Sequence, residues 1–323
     1  MILLAIALPV AFVADMALGS VSLSPGAVAK ALAGGEVDAV TRSIVVDLRL
    51  CKALTAILAG IALSVSGLQM QTIFRNPLAG PYVLGISSGA SLAVALMLLG
   101  GSALGLTASV ASRPLSLAGA AWIGSAATLL LMLVLSRRMK DIMVVLILGI
   151  MISSGVSAIV QILQHAAADD SLKSFVVWTM GSLSSVTWPQ LWLLAAATLA
   201  GMILATIVIK PLNLLLLGED YALTMGVNVV GSRLLTFAST TLLAGSVTAF
   251  CGPIGFIGLA MPHVARFALA TADHRLLLPA TALTGATVML LCDIVSKVWT
   301  LPLNSVTALV GIPIILWIVI KVK

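Results

Sequence analysis

From Ile142 to Leu163 the chain reads IMVVLILGIMISSGVSAIVQIL, without one charged residue. A helix rises about 1.5 Å per residue, so this run would extend about 33 Å, the thickness of a bilayer's hydrocarbon core. One such run could lie buried in a large soluble protein, but similar runs follow one another along the whole chain. Of 323 residues, 61% are hydrophobic and 9% charged, against about 25% charged in a soluble domain. No soluble core hides that much apolar surface, so the bilayer is the solvent.

A window of about 20 apolar residues places about ten spans. They run from Met1 to Leu18, Ala53 to Phe74, Gly85 to Gly100, Leu115 to Leu135, Ile142 to Leu163, Leu191 to Ile209, Leu234 to Phe250, Gly258 to Ala270, Leu276 to Ser296 and Ser305 to Ile320. The fold class expected is all-α and polytopic, a single transmembrane domain over 1–323. The apolar N-terminus has no basic lead-in or clear cleavage site and reads as a first span. With the N-terminus inside, the inner turns carry Arg75, Arg137, Arg138, Lys140, Lys210, Arg233, Arg266, Arg275, Lys321 and Lys323. The short outer turns hold only Arg113, Lys173 and Lys297. That alternation follows the positive-inside rule and puts both termini in the cytoplasm. Its weak point is the first outer segment, where Lys30, Arg42, Arg49 and Lys52 face Glu36, Asp38 and Asp47. The net charge of +6 is thus topological and does not call for nucleic acid.

Two outer segments, 19–52 and 165–190, carry helix signals of their own. Ser24 and Pro25 open one short helix and Gly34-Gly35 closes it; Asp170 and Gly181 do the same for a second. Thr187 and Pro189 mark the start of the next span. Inside the membrane, Asp293 is the one acid near a span interior. Lys297 follows at i+4, near the outer end, which suits a structural ion pair better than an ion relay. Cys51, Cys251 and Cys292 show no metal or disulfide spacing. His165, His263 and His274 sit in no ligand motif, and no metal or catalytic residue is expected.

Between two oily runs lies GEDYALTMGVNVVGSR, Gly218 to Arg233. It is too short and polar to span. Glu219 and Asp220 suit a helix N-terminus, and Gly226 suits a left-handed stop before a second helix. In the fifth span, Gly149, Ser153, Ser154, Ser157 and Gln161 would either wet one face or simply let helices approach closely.

Several stretches resemble one family, in order. SGLQMQTIFRNPLAGPYVLGISSGA, LLLLGEDYALTMGVNVVGSR, CGPIGFIGLAMPHVARF, DHRLLLPATALTGA and LPLNSVTALVGIPIILWIV are similar to signature blocks of the FecCD family. These are permease subunits of bacterial ABC importers for iron-siderophores, haem and vitamin B12. The resemblance covers about Leu48 to Lys323. There are departures: the usual RLPR reads RLCK at Arg49 to Lys52, and Asn304 or Ser305 stands where the family has Gly.

The resemblance implies an inner-membrane permease acting by alternating access, most simply as a homodimer with a second copy. Gly218, Glu219, Asp220, Ala222, Gly226, Val227 and Asn228 would form two short cytoplasmic helices docking on a separate ATPase. Two such subunits would bind ATP and Mg; this chain has no GxxxxGK[ST] loop and would carry no cofactor. Arg49 and Lys52, and less so Arg42, would receive a periplasmic or lipid-anchored binding protein. Gly149, Ser153, Ser154, Ser157 and Gln161 would line the path, with Asp141, Ile142 and Met143 near the cytoplasmic gate. An iron complex is the expected cargo, with vitamin B12 the alternative. An ion-coupled secondary transporter or an intramembrane enzyme using His263 are the other classes.

Overall fold

The computed structural model describes residues 1–19, 23–100, 114–139 and 141–321. Arg113, Lys140 and Lys323, which entered the charge alternation, lie outside them. Every regular element among the described residues is helical. In chain order they are α1 (Ile2–Ala17), α2 (Pro25–Leu32), α3 (Ala39–Arg42), α4 (Cys51–Ile73), α5 (Ile86–Leu98), α6 (Pro114–Arg138), α7 (Ile142–Ala166) and α8 (Asp169–Thr179). Then come α9 (Trp188–Ile207), α10 (Ile209–Leu215), α11 (Glu219–Thr224), α12 (Val229–Thr240), α13 (Ser246–Cys251), α14 (Ile257–Leu269), α15 (His274–Trp299) and α16 (Leu303–Lys321).

Among the described residues, five helical stretches are long and apolar enough to cross a membrane: Leu115–Ser136, Ile142–Ala166, Trp188–Ile207, Val229–Cys251 and His274–Trp299. The third of the continuous stretches after α6 joins α12 to α13 through wide turns at Thr241–Gly245. Four shorter apolar helices, α1, α5, α14 and α16, accompany them.

Helix α4 is the hub. It is buried on every side from Ala62 to Ile73, the pattern of a helix enclosed by other helices. Glycines bring its neighbours in. A Cβ at Gly60 would land on the Gly285 carbonyl of α15, and one at Gly67 on the Gly258 carbonyl of α14. In the membrane, such close backbone approach substitutes dispersion contacts for a hydrophobic driving force. Gly89 of α5 packs in the same way on Gly124 of α6. Buried amides add direction: Gln69 Nε2 donates to Ser239 Oγ at 3.0 Å, and Thr240 Oγ1 donates to Gln69 Oε1 at 3.1 Å.

The outer segments follow their caps, with one correction. Ser24 Oγ accepts from the Ala27 N–H at the start of α2. Helix α8 starts two residues earlier than expected: Ala168, not Asp170, is its N-cap, and Asp169 and Asp170 both lie in the first turn. There they meet the helix dipole rather than accept a capping bond. Gln190 Oε1 accepts from the Thr187 N–H and closes a capping box at the start of α9.

Candidate functional site

A cavity of about 580 Å³ opens beside α7. Ser153, Ser154, Ser157 and Gln161 line it from that helix, so four of the five positions singled out in the sequence share one wall. Gly149 does not: it is buried, and a Cβ there would meet the Val83 carbonyl of the turn at Pro81–Leu84. Its role in this structure is close packing. Ser153 and Ser154 donate their hydroxyl protons to Gly149 and Ile150 one turn back. Ser157 and Gln161 make no side-chain hydrogen bond among the described residues. Among the described residues, no charged side chain lines the cavity.

The opposite wall is a break in the bundle. Helix α13 ends at Cys251 and α14 begins at Ile257, so residues 252–256 are non-helical backbone between two apolar helices. Non-helical backbone survives there only where protein satisfies it. Tyr82 Oη donates to the Ile254 carbonyl at 3.1 Å and accepts from the Ile254 N–H at 3.3 Å. Asn304 Oδ1 accepts from the Gly255 N–H at 2.9 Å. Phe256 sits at φ +66°, a conformation that is costly for a bulky residue, and Gly311 leaves the space it needs. Tyr82 and Phe256 both line the cavity. A smaller cavity of about 250 Å³ shares Ser157 and Gln161 and continues to Ser88, Gln164 and Thr179.

At the N-terminal end of α7, Asp141 Oδ1 accepts from the Met143 N–H at 2.8 Å and caps the helix. Ile142 is buried and Met143 is exposed. Nearby lies the segment from Gly218. Gly218 has φ +129°, open only to glycine at low strain, and Gly226 φ +77°, a left-handed position that glycine takes most readily and asparagine less so. Between them runs α11, six residues long. Its end is a Schellman motif: the Val227 N–H bonds the Ala222 carbonyl and the Gly226 N–H bonds the Leu223 carbonyl. Asn228 Oδ1 then caps α12 through the Gly231 N–H at 2.8 Å. The second short helix expected here is instead the first turn of α12, which runs on into the membrane-length stretch Val229–Cys251. Ala222 is buried, while Tyr221, Leu223 and Met225 are exposed.

Two supports hold this end. Arg233 Nη2 lies 2.9 Å from Glu219 Oε1, and Arg233 Nη1 donates to the Met139 carbonyl at 3.4 Å. Asn213 of α10 accepts from the His274 backbone N–H, and His274 Nε2 lies 2.8 Å from Thr72 Oγ1 of α4. Asp273 caps α15, and the Arg275 backbone N–H, then Asn213, hold its carboxyl below the usual carboxylate range.

Where α1 and α15 end and α4 begins, four charges form a closed cluster. Lys52 Nζ lies 2.9 Å from Asp293 Oδ1, and Lys297 Nζ 2.7 Å from Asp293 Oδ2 and 2.8 Å from Asp15 Oδ1. The i,i+4 pair expected from sequence is present, with two further members. Arg49 is buried, and its Nη1 donates to the Met16 carbonyl at 2.8 Å. Arg42 is exposed. Arg49, Lys52 and Lys297 still border a cleft of about 260 Å³.

The FecCD transport family's sequence profile matches residues 6–321. This chain belongs to the FecCD transport family. The hemin transport system permease protein HmuU of Yersinia pestis is 37% identical over 280 residues, 85% of this chain and 82% of that protein. The vitamin B12 import system permease protein BtuC of Salmonella typhimurium is 36% identical over 285 residues, 85% of this chain and 83% of that protein. A solved structure described as an inward-facing metal-chelate type ABC transporter superposes with a TM-score of 0.84 at 31% identity, covering 98% of this chain and 97% of that one.

As a FecCD chain it is a multi-pass membrane permease of the ABC transporter class. The sequence reading missed Tyr82 and Phe256 as parts of the cavity wall, and Asn304 as a brace of the loop behind it. Tyr82 and Phe256 stood inside quoted motifs, beside Pro81 and Gly255, where glycine and proline mark backbone that is not helical. Asn304 stood out only as a departure from the family glycine.

Proposed function

We propose that this FecCD permease carries an iron complex, a ferric siderophore or haem, across the bacterial inner membrane. It works by alternating access as a homodimer driven by two separate ATPase subunits. The observation that carries the reading is the α11 segment. A six-residue helix turns Tyr221, Leu223 and Met225 outward, yet is bolted through Ala222 and Glu219 to the helices beneath. Exposed apolar side chains on so small a helix suit a protein partner, and this helix lies at the same end as the Asp141 cap of the path helix.

The rest is consistent with that mechanism. Ten spans follow if α4 and the four shorter helices cross alongside the five long stretches, with both termini cytoplasmic. Helix α7 is open on the side away from α5 and α6: 17% of its apolar window is buried, against 78% for Val229–Cys251. A second copy across that face would close the half-cavity into a path. A neutral, hydroxyl- and amide-bearing wall can pass a bulky chelate without holding it. On the outer face, Arg42 is the exposed base for a binding protein. Arg49 and Lys52 would act there from the rim of their cleft. The resemblance to HmuU favours haem among iron complexes, and that to BtuC keeps vitamin B12 as the second reading.

Co-purification tests it. The tagged chain, expressed with the ATPase encoded beside it, is expected to recover that ATPase, and a variant deleted from Glu219 to Asn228 is expected to lose it. A wild-type chain that recovers no ATPase refutes the reading. A proton-coupled carrier is disfavoured because Asp293 already faces two ammonium groups.

A further inference from the structure

We propose that Arg233 is a positioning residue that joins the α11 segment to the start of the path helix, so that movement imposed on α11 reaches the gate around Asp141. The proposal rests on the importer reading above and assigns the link that reading needs.

The guanidinium reaches in two directions. One nitrogen pairs with Glu219, the first residue of α11, at 2.9 Å. Another donates to the Met139 carbonyl at 3.4 Å. Met139 lies two residues before Asp141, whose carboxylate caps α7. The bonded route therefore runs from α11 through Arg233 to Met139, two residues before the cap of the path helix. The Arg233 side chain is 4% exposed although it sits in a cytoplasmic segment where water is near. Glu219, at 33%, is the half-solvated end. A planar fork suits this task better than an ammonium, because it offers separate donors to two segments at fixed angles.

Packing supports the same route. Ala222 and Val229 lie in one apolar cluster with Ile142, Val145 and Leu146 of α7, and Val227 and Met139 pack against it. Interiors this dense transmit displacement rather than absorb it. The apolar contacts make the region move as a body, and the arginine fixes the register between its two polar edges. An arginine that merely stapled the loop would affect assembly and melting temperature. A link is distinguished by the gate's response to ATP in an assembled, hydrolysing complex.

Cys51, Cys251 and Cys292 are all buried, so a Met143→Cys variant provides one exposed thiol beside the gate. The complex of M143C with its ATPase is treated with a polar maleimide, with and without ATP. ATP is expected to change the labelling rate. Adding Arg233→Met is expected to shrink that ATP response about tenfold, within the range of ordinary coupling energies, while the complex still forms and hydrolyses ATP. Arg233→Lys is expected to recover part of the response. An undiminished response in R233M overturns the proposal, as does a loss of hydrolysis in proportion to the loss of response. An M143C complex that hydrolyses ATP with no change in labelling overturns the gate end of the link. If R233M does not assemble, Glu219→Ala decides: a weakened response supports the link, and an unchanged one refutes it. Failure of the wild-type chain to bind any ATPase instead refutes the importer reading itself.

Discussion

Lys297 Nζ holds two buried carboxylates at once, Asp293 at 2.7 Å and Asp15 at 2.8 Å. Lys52 completes a cluster of two acids and two bases contributed by α1, α4 and α15. Asp15 and Asp293 are fully buried, so neither can turn to water when a base is removed. Lys297→Met is therefore expected to destabilise the protein by about 3–5 kcal/mol, the usual penalty for orphaning a buried charge. Asp15→Leu combined with Lys297→Met, which removes one charge of each sign, should be milder than K297M alone. Thermal melting in detergent checks both. A double variant worse than K297M would show that the cluster is not a charge-balanced unit.

The cluster also shows where sequence reading stops. The Asp293–Lys297 pair is four residues apart and was legible; Lys52 and Asp15 lie far away in the chain and only the helix packing brings them in. The spans were legible because a bilayer imposes length and apolarity on each one separately, and the Gly226 stop because a left-handed turn is a local demand. What local rules could not supply was direction. Arg49 entered as a docking base through the family resemblance, and its bond to the Met16 carbonyl is a contact no local rule foretold. The second short helix after Gly226 also went astray. Asn228 is a true cap, but nothing near it says whether the helix will end after two turns or continue, as it does, to Cys251.

Gly67 faces the Gly258 carbonyl so closely that a Cβ has no room. Both are backbone positions in packed helices, so no side-chain rotation relieves the clash. Gly67→Ala should force α4 and α14 apart and cost at least about 1–3 kcal/mol, the range for overpacking. Gly155→Ala is the matched control, because nothing lies within 4 Å of a Cβ there. Size-exclusion recovery should fall for G67A and stay level for G155A; equal recovery would mean the α4–α14 approach is not tight in the membrane.

Gly226 has open space around it, and its constraint is conformational alone, at φ +77°. Gly226→Val should add about 1–2 kcal/mol of backbone strain, enough to unwind the Schellman turn without touching the core. Membrane insertion and melting of the spans should hold while ATPase recovery falls. Gly226→Asn, which tolerates the left-handed region, should keep most of the recovery. Normal recovery and normal uptake in G226V would remove the shape of this turn from the mechanism.

The break at residues 252–256 has two braces on adjacent residues: Tyr82 Oη on Ile254 and Asn304 Oδ1 on Gly255. Next to them Phe256 keeps its positive φ, a strain that persists only while the surroundings over-determine it. Asn304→Ala leaves the half-buried Gly255 N–H without its acceptor, at about 1 kcal/mol, the low end of the penalty for an unsatisfied donor. Tyr82→Phe removes the hydroxyl and keeps the ring against the cavity. If both braces hold one loop, their effects on melting should depart from additivity by about 0.5–3 kcal/mol. Uptake of haemin, or of cyanocobalamin if that is what the wild-type complex carries, should fall with the loosening of the loop. Strict additivity would mean that each side chain supports its own residue, and that the cavity wall is not a single element.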